Sequence, residues 1–446
     1  MRVLKIVPGT GGGFLCENCL RDQSLVAELR WAGHDVLLIP LYLPIAGAPT
    51  AESVSVPLFY GAIRIYLEHR FPFFRRFPDW FRRRLDSPRM LLRAASRAST
   101  SSSANLADLT LSVLRGENGD QARDLDALCL WLQDQPRPDV VHISNALLLG
   151  LARKVAATVK APVVCSLQDE DTWIDAMPSH LATRAWAEIR ARVPDVTAFI
   201  ASSHFFAAKM PRRMGMPLRN VRAIHPGIDL APLPFQVHSH TPPVWGVLLD
   251  ADDTVGLSRI CTAYLAIRSN PACSALKLRI SGLTPSSAAI SSITTRGLSH
   301  EIEFLSAFSR HADRLAFLKR LSLLTVLHLD EPAFDLSLLE AMAIGVPVVQ
   351  PNTGANPEIL GMAEGGLLFD PDRAESIVLA ITSLLIEPRG LADLARRGRR
   401  DVEQQFSLAR MARETVDVYQ AACATHQPLR QRKPSPAPIP AGDHSP

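Results

Sequence analysis

The residues best suited to chemistry lie in one run, Asp330 to Gly345, DEPAFDLSLLEAMAIG. A helix that opens after a strand, at the carboxyl edge of a sheet, points its free amides at a crevice and suits a phosphate. Glu340, one turn inside that helix, is placed to take ribose hydroxyls. A second feature is the loop Gly9, Thr10, Gly11, Gly12 and Gly13, where bare backbone can approach a ligand and amides can face an anion. Its spacing is not a dinucleotide fingerprint, and no Lys-Ser or Lys-Thr follows to make a P-loop; a tight strand-to-helix turn is the competing reading. Cys16 and Cys19 stand at the start of the next helix, whose positive end lowers a thiol pKa. One CxxC supplies two ligands only, and no second Cys or His pair has zinc spacing. They read as a buried structural pair rather than as a redox or metal site.

The elements that must position these residues follow one grammar. Arg2 to Val7 is an apolar strand, the glycine loop follows, Asn18 to Trp31 has a helical pattern, and Gly33 closes it before a strand at Asp35 to Pro40. Strand, glycine turn, helix, strand is one unit of a doubly wound parallel sheet. The pattern returns at Pro138 to Ile143, Ala161 to Leu167 and Val196 to Ser202, so a first domain is expected over 1–228. A proline-dense linker occupies 229–243. A second series then runs over 244–385: strands at Val244 to Leu249, Leu276 to Ser281, Leu323 to Leu329 and Val346 to Gln350, with helices at Arg259 to Arg268 and Leu336 to Ile344. Helices are expected over 386–425, and the proline-rich tail 426–446 reads as disordered.

Composition narrows the function classes. With 446 residues, 47% apolar and 21% charged, the chain can bury two cores of about 200 residues each. The net charge is +4, yet Arg64 to Arg97 alone carries ten arginines against Glu68, Asp79 and Asp86. Basicity is therefore local, which argues against a nucleic-acid binder. Phe71, Phe73, Phe74, Phe77, Trp80 and Phe81 interleave with those arginines, within an insertion expected over about 60–125. Such a segment suits peripheral contact with an anionic membrane or a lipid-linked acceptor. Pro72, Pro78 and Pro88 interrupt any continuous helical face, so an insertion packed on the first domain is the plainer reading. The N-terminus lacks a signal-peptide pattern, and no run reaches the ~18 apolar residues of a membrane helix. A cytoplasmic protein, peripheral at most to the inner membrane face, is expected.

The run around Glu340 resembles glycosyltransferase family four, retaining nucleotide-sugar glycosyltransferases of GT-B fold. Leu336, Leu339, Glu340, Ala341, Gly345, Pro347, Val348, Val349, Gly354, Pro357, Glu358, Gly366, Leu367 and Leu368 carry the likeness. It extends to Gly11, Gly12 and Gly13, to Asn145, to Leu167 through Asp171 (LQDED), and to His225 through Asp229. The resemblance implies an α/β protein of two Rossmann-like domains facing across a cleft, transferring a hexose from a nucleotide-diphosphate sugar to a glycan, lipid-linked or small-molecule acceptor with retention. It needs no cofactor beyond the donor substrate. Gly11, Gly12 and Gly13 would border the sugar, and Leu336, Ser337, Leu338, Leu339 and Glu340 would line the donor site with Glu358 in support. Glu331, Asp171 and Glu170 are the candidate catalytic carboxylates.

The pattern departs from the family at one ligand. Pro332 stands where the family has its first glutamate, with Glu331 one residue out of step and Ala333 resembling a single insertion. Asp335 replaces the glycine that opens the helix. Asp250 and Val255 replace the Arg and Lys that grip the donor diphosphate; Arg259 is the nearest substitute, with His311 and Arg310 more distant. These departures leave a second reading, a non-catalytic relative that keeps the cleft as a binding or scaffolding surface.

Overall fold

A computed structural model describes residues 1–9, 17–42, 103–237, 240–250, 253–282, 302–328 and 330–426. The glycines Gly11, Gly12 and Gly13, Cys16, and the basic stretch Arg64 to Arg97 lie outside the described residues.

Two parallel sheets organise the chain. The first comprises β1 (Arg2–Val7), β2 (Asp35–Pro40), β3 (Val140–Ile143), β4 (Val163–Leu167), β5 (Ala198–Ala201) and β6 (Val221–Ala223), in the order β2-β1-β3-β4-β5-β6. The second comprises β7 (Val244–Leu249), β8 (Lys277–Ser281), β9 (Ile302–Leu305), β10 (Leu323–Leu327), β11 (Val348–Pro351) and β12 (Gly366–Phe369), in the order β12-β11-β10-β7-β8-β9. In each, the order reverses beside the first strand, which opens a crevice at the strands' carboxyl ends. β3 and β4 are buried along their whole length because helices cover both faces, so they read as mainly apolar runs broken only by His142 and Ser166.

The helices that bear on the site are α1 (Glu17–Trp31), α2 (Glu170–Asp175), α3 (His204–Met214), α4 (Thr254–Arg268), α5 (His311–Leu318), α6 (Leu336–Ile344), α7 (Asn356–Met362) and α8 (Leu408–His426). α4 begins five residues before the expected Arg259, because Asp253 caps it by accepting from Gly256 N at 2.8 Å. α6 stops at Gly345 as expected: its φ of 93° is left-handed, and a Cβ there would meet Gln236 O at 2.2 Å. The short strands β6, β9 and β12 are further elements; they lie at the sheet edges, only partly buried, and so lack the apolar run that marks the central strands. The helix Ser103–Arg115 packs Ala107, Leu111 and Leu114 into the first core.

α8 leaves the second half and returns to the first. Tyr419 Oη meets His142 Nδ1 at 2.6 Å, inside a buried group in which Lys5 Nζ pairs with Asp22 at 2.9 Å. Burial pulls the Lys5 ammonium below its ordinary pKa, and the Asp22 carboxylate opposes that. Removing Asp22 would strand a buried charge, so α1, β1, β3 and α8 are held as one unit. No helix among the described residues is long and apolar enough to cross a membrane.

Candidate donor site in the cleft

α6 points its amino end at the first lobe, where α1 begins. The N-cap Asp335 accepts from Ser337 N at 2.7 Å. The remaining donors at this end find a carboxylate from the other lobe: Glu17 Oε2 accepts from Leu336 N at 3.1 Å, and Glu17 Oε1 accepts from Ser337 Oγ at 3.0 Å. Arg314, on α5, donates to Glu17 through Nη1 and to Glu340 Oε1 through Nη2, the latter at 2.9 Å. His311 Nε2 meets the same Glu340 oxygen at 2.7 Å. Arg314 is 3% exposed and Glu340 4%, so these charges are compensated by one another and by little solvent. Burial raises the Glu17 carboxyl pKa, and the Arg314 guanidinium pulls it back only in part.

One polar atom in this arrangement is unspent. Glu340 Oε2 is buried and has no hydrogen-bond partner among the described residues. A buried carboxylate oxygen without a donor is costly, and it is relieved by any hydroxyl that reaches it.

Asp250 and Asp335 look incompatible with an anionic ligand when read from sequence. The structure ties them together through His328, whose Nδ1 lies 3.2 Å from Asp250 Oδ1 and whose Nε2 lies 3.1 Å from Asp335 Oδ2. Burial alone would lower the His328 pKa; the two carboxylates outweigh it and hold it well above the ordinary value. Burial likewise tends to raise Asp335, and His328 with Arg314 brings it below the usual range. Both departures therefore share one imidazole at the end of β10 as a common partner. Neither Arg314 nor His328 stood out in the sequence; an isolated Arg in mid-helix and a His just past a strand carry no motif.

A cavity of about 270 Å³ lies at this junction, bordered by Glu17, Asn18 and Arg21 of α1, by Asp169 and Thr172, and by Asp250, His328 and Leu336. Arg21 Nη2 is buried there with no hydrogen-bond partner among the described residues.

The expected site residues divide sharply. Leu336 and Ser337 stand at the head of α6, and Glu340, one turn inside, is joined to them through Arg314; of the three only Leu336 borders the cavity, whereas Leu338 and Leu339 turn their side chains into the core. Arg259 does not replace the missing cations: it is exposed on α4 and does not line the cavity. Of the more distant candidates, His311 does reach Glu340, while Arg310 pairs with Asp313 at 2.7 Å on the surface.

The carboxylates are redistributed too. Glu331 is 55% exposed in its side chain and pairs with Lys209 at 3.4 Å, outside the cavity lining. Its displacement has a cause in Ala333, which docks on the first lobe: Ala333 O accepts from Ser203 Oγ at 2.7 Å and Ala333 N donates to Asp169 Oδ1 at 3.1 Å. Pro332 keeps to the cavity wall and sits against Gly354, whose φ is 57° and where a Cβ would come within 2.6 Å of the proline ring. Asp171 is buried against Lys209 Nζ at 2.8 Å. Glu170 accepts from Ala146 N at 2.8 Å and Gln168 N at 2.7 Å, and burial pushes its pKa up to about 7. Neither faces the cavity. The member of that stretch that does is Asp169, turned out by a left-handed φ of 55° that aspartate tolerates.

Glu358 is not at the donor cavity either. It crosses the other way, accepting from His204 N at 2.8 Å and Phe205 N at 3.0 Å at the head of α3, with His225 Nε2 on the same carboxylate. Burial would raise its pKa, but these donors lower it.

Comparison with known proteins agrees with this architecture. The family described as Glycosyl transferases group 1 matches residues 247–401, and Glycosyltransferase Family 4 matches residues 113–232. The MMP alpha-(1->4)-mannosyltransferase of Mycolicibacterium hassiacum is 38% identical over 92 residues, 20% of this chain and 22% of that protein. The D-inositol 3-phosphate glycosyltransferase of Rhodococcus opacus is 33% identical over 146 residues, 33% of this chain and 32% of its own length. The matched regions thus span a third or less of these relatives. A crystal structure of Anabaena HepE with UDP and glucose superposes with a TM-score of 0.61 at 14% identity, covering 94% of this chain and 100% of that one, a likeness of fold. Two doubly wound lobes, each matched by its own glycosyltransferase family over more than half of the chain together, make this chain a member of the family-four and group 1 glycosyltransferases of GT-B fold.

Proposed function

We propose that the chain transfers a hexose from a nucleotide-diphosphate sugar to an acceptor hydroxyl with retention, the donor lying along the head of α6. The observation that carries this reading is the anion seat already in use: Leu336 N, Ser337 Oγ and Arg314 hold a carboxylate where a diphosphate would bind. Glu340 Oε2, buried and without a partner among the described residues, then accepts a ribose hydroxyl. Arg314, with His328 nearby, takes the part of the Arg and Lys absent at Asp250 and Val255. Because Glu17 occupies the seat, donor binding displaces it. HepE is described with UDP and glucose, and the two relatives above are named as sugar transferases, which supports a nucleotide-sugar donor. Retention rests on the family resemblance. Asp169 is the carboxylate nearest to hand for the acceptor side, and no metal is assigned to the transfer. The reaction is placed on the cytoplasmic side, with Arg64 to Arg97 bringing the protein to anionic membrane, a reading of composition alone.

Calorimetric titration with UDP, GDP and their hexose conjugates tests the reading. Binding of one nucleotide, lost in Arg314→Met and in Glu340→Gln, is the expected result. Absence of heat with every donor in a folded protein would sink it and return the cleft to a purely scaffolding role.

A further inference from the structure

His204 opens α3, His225 follows β6, and Glu358 lies in the first turn of α7. Their ligand atoms all fall within 4.8 Å of one another, and His204 is exposed. None of the three lines the donor cavity. We propose that they form a zinc site that bridges the two lobes.

The donor set selects the metal. Two imidazoles and one carboxylate, with a fourth position open to water on the His204 side, is a set that zinc accepts; calcium and magnesium take oxygen ligands instead. Bonds of about 2.0–2.1 Å place tetrahedral ligands about 3.4 Å apart. The exposed His204 ring, turning about its own bonds, can close its gap, while His225 Nε2 and Glu358, now in direct hydrogen-bond contact, part to admit the ion. The other two ligands are already supported. Backbone amides of His204 and Phe205 hold the Glu358 carboxylate, and the His225 ring stands edge-on to Phe406 at 5.9 Å between centroids. Such outer contacts fix ligand orientation before a metal arrives. On binding, the proton that His225 Nε2 now shares with Glu358 moves to Nδ1 in the neutral ring, or to solvent from the charged one. Zinc then stands between His204 and His225 of the first lobe and Glu358 of the second, joining what is now held by hydrogen bonds. Pro226, the neighbour of His225, borders the cavity, so the bridge lies beside the cleft without entering it.

The test uses the full chain, stripped of metal with a chelator and titrated calorimetrically with zinc chloride. One equivalent is expected to bind and to raise the thermal midpoint. His204→Ala removes only an exposed ring and leaves its backbone amide on Glu358, so the fold is kept while zinc affinity falls by about tenfold or more. Glu358→Gln should weaken it as well. Cobalt in place of zinc should give visible bands without thiolate charge-transfer absorption. Absence of zinc uptake, uptake unchanged in His204→Ala, or a thiolate band that assigns the metal to cysteines would each overturn the proposal. Nucleotide binding is not a readout here, so the zinc site and the donor site fail independently.

Discussion

Two carboxylates cross the cleft in opposite directions and perform the same act under different electrical conditions. Glu17 leaves the first lobe to cap α6, and Glu358 leaves the second to cap α3. Glu358 is well served, by two backbone amides and His225, and its pKa falls below the ordinary value. Glu17 has an amide, a hydroxyl and Arg314, yet burial together with Asp335 and Glu340 nearby leaves its pKa raised. A helix end welcomes an anion in both cases. What differs is how well the resident anion suits its seat: Glu358 is a settled latch, whereas Glu17 is held against the cost of its own burial and two neighbouring carboxylates.

The sharpest way to break this contrast is to remove its shared cation. Arg314→Ala leaves the buried Glu340 with His311 alone and the half-buried Glu17 without its cation, and urea denaturation should record a loss of about 3–5 kcal/mol along with loss of nucleotide binding. Glu340→Gln keeps the shape and removes the charge offered to a ribose hydroxyl. A hydrogen bond to a charged group is worth about 1.5–3 kcal/mol, so nucleotide affinity should fall roughly tenfold to a hundredfold by calorimetry. Glu17→Gln acts in the opposite sense: the competing internal anion goes, and UDP or GDP should bind about tenfold more tightly, equivalent to about 1.4 kcal/mol. An unchanged or weaker affinity would mean that Glu17 is not in the donor's way.

The imidazolium between Asp250 and Asp335 sharpens the contrast through pH. His328 has its pKa raised by folding, so its stabilisation is fully present below the ordinary value of 6.5 and is lost as pH rises through the higher folded value. Midpoints of urea unfolding should fall in the parent protein as pH is raised from 6.5, and His328→Asn should flatten that limb. The smallest effect is expected at the residue sequence favoured as a substitute cation: Arg259→Ala should leave nucleotide affinity within about twofold, because surface changes away from a site cost little.

Legibility followed the range of the interaction. The α6 segment and its glycine stop were readable because helix period, strand and cap are local, and so was the cluster of Leu336, Ser337 and Glu340. The strand at Arg2–Val7 was readable for the same reason. Glu331 lies away from the cavity for a reason no local pattern carries: its position depends on Ala333 docking against Ser203 and Asp169, contacts more than a hundred residues distant. Glu170 and Asp171 stand out in the sequence by type and neighbourhood alone. Their side chains are spent on Ala146, Gln168 and Lys209, and the left-handed turn at Asp169 decides which carboxylate of the three faces the cavity.

By itself, the order of residues determined two doubly wound halves, the anion-seeking helix before Glu340 and a carboxylate one turn inside it. Backbone hydrogen bonding and apolar period act over a few residues, and they are written wherever those residues stand. Only the tertiary structure decided that Arg314 rather than Arg259 serves that helix, that His328 reconciles Asp250 with Asp335, and that Glu17, 297 positions before Arg314, sits in the seat. Charges pair by distance in space, and that distance is set when the two lobes close on each other.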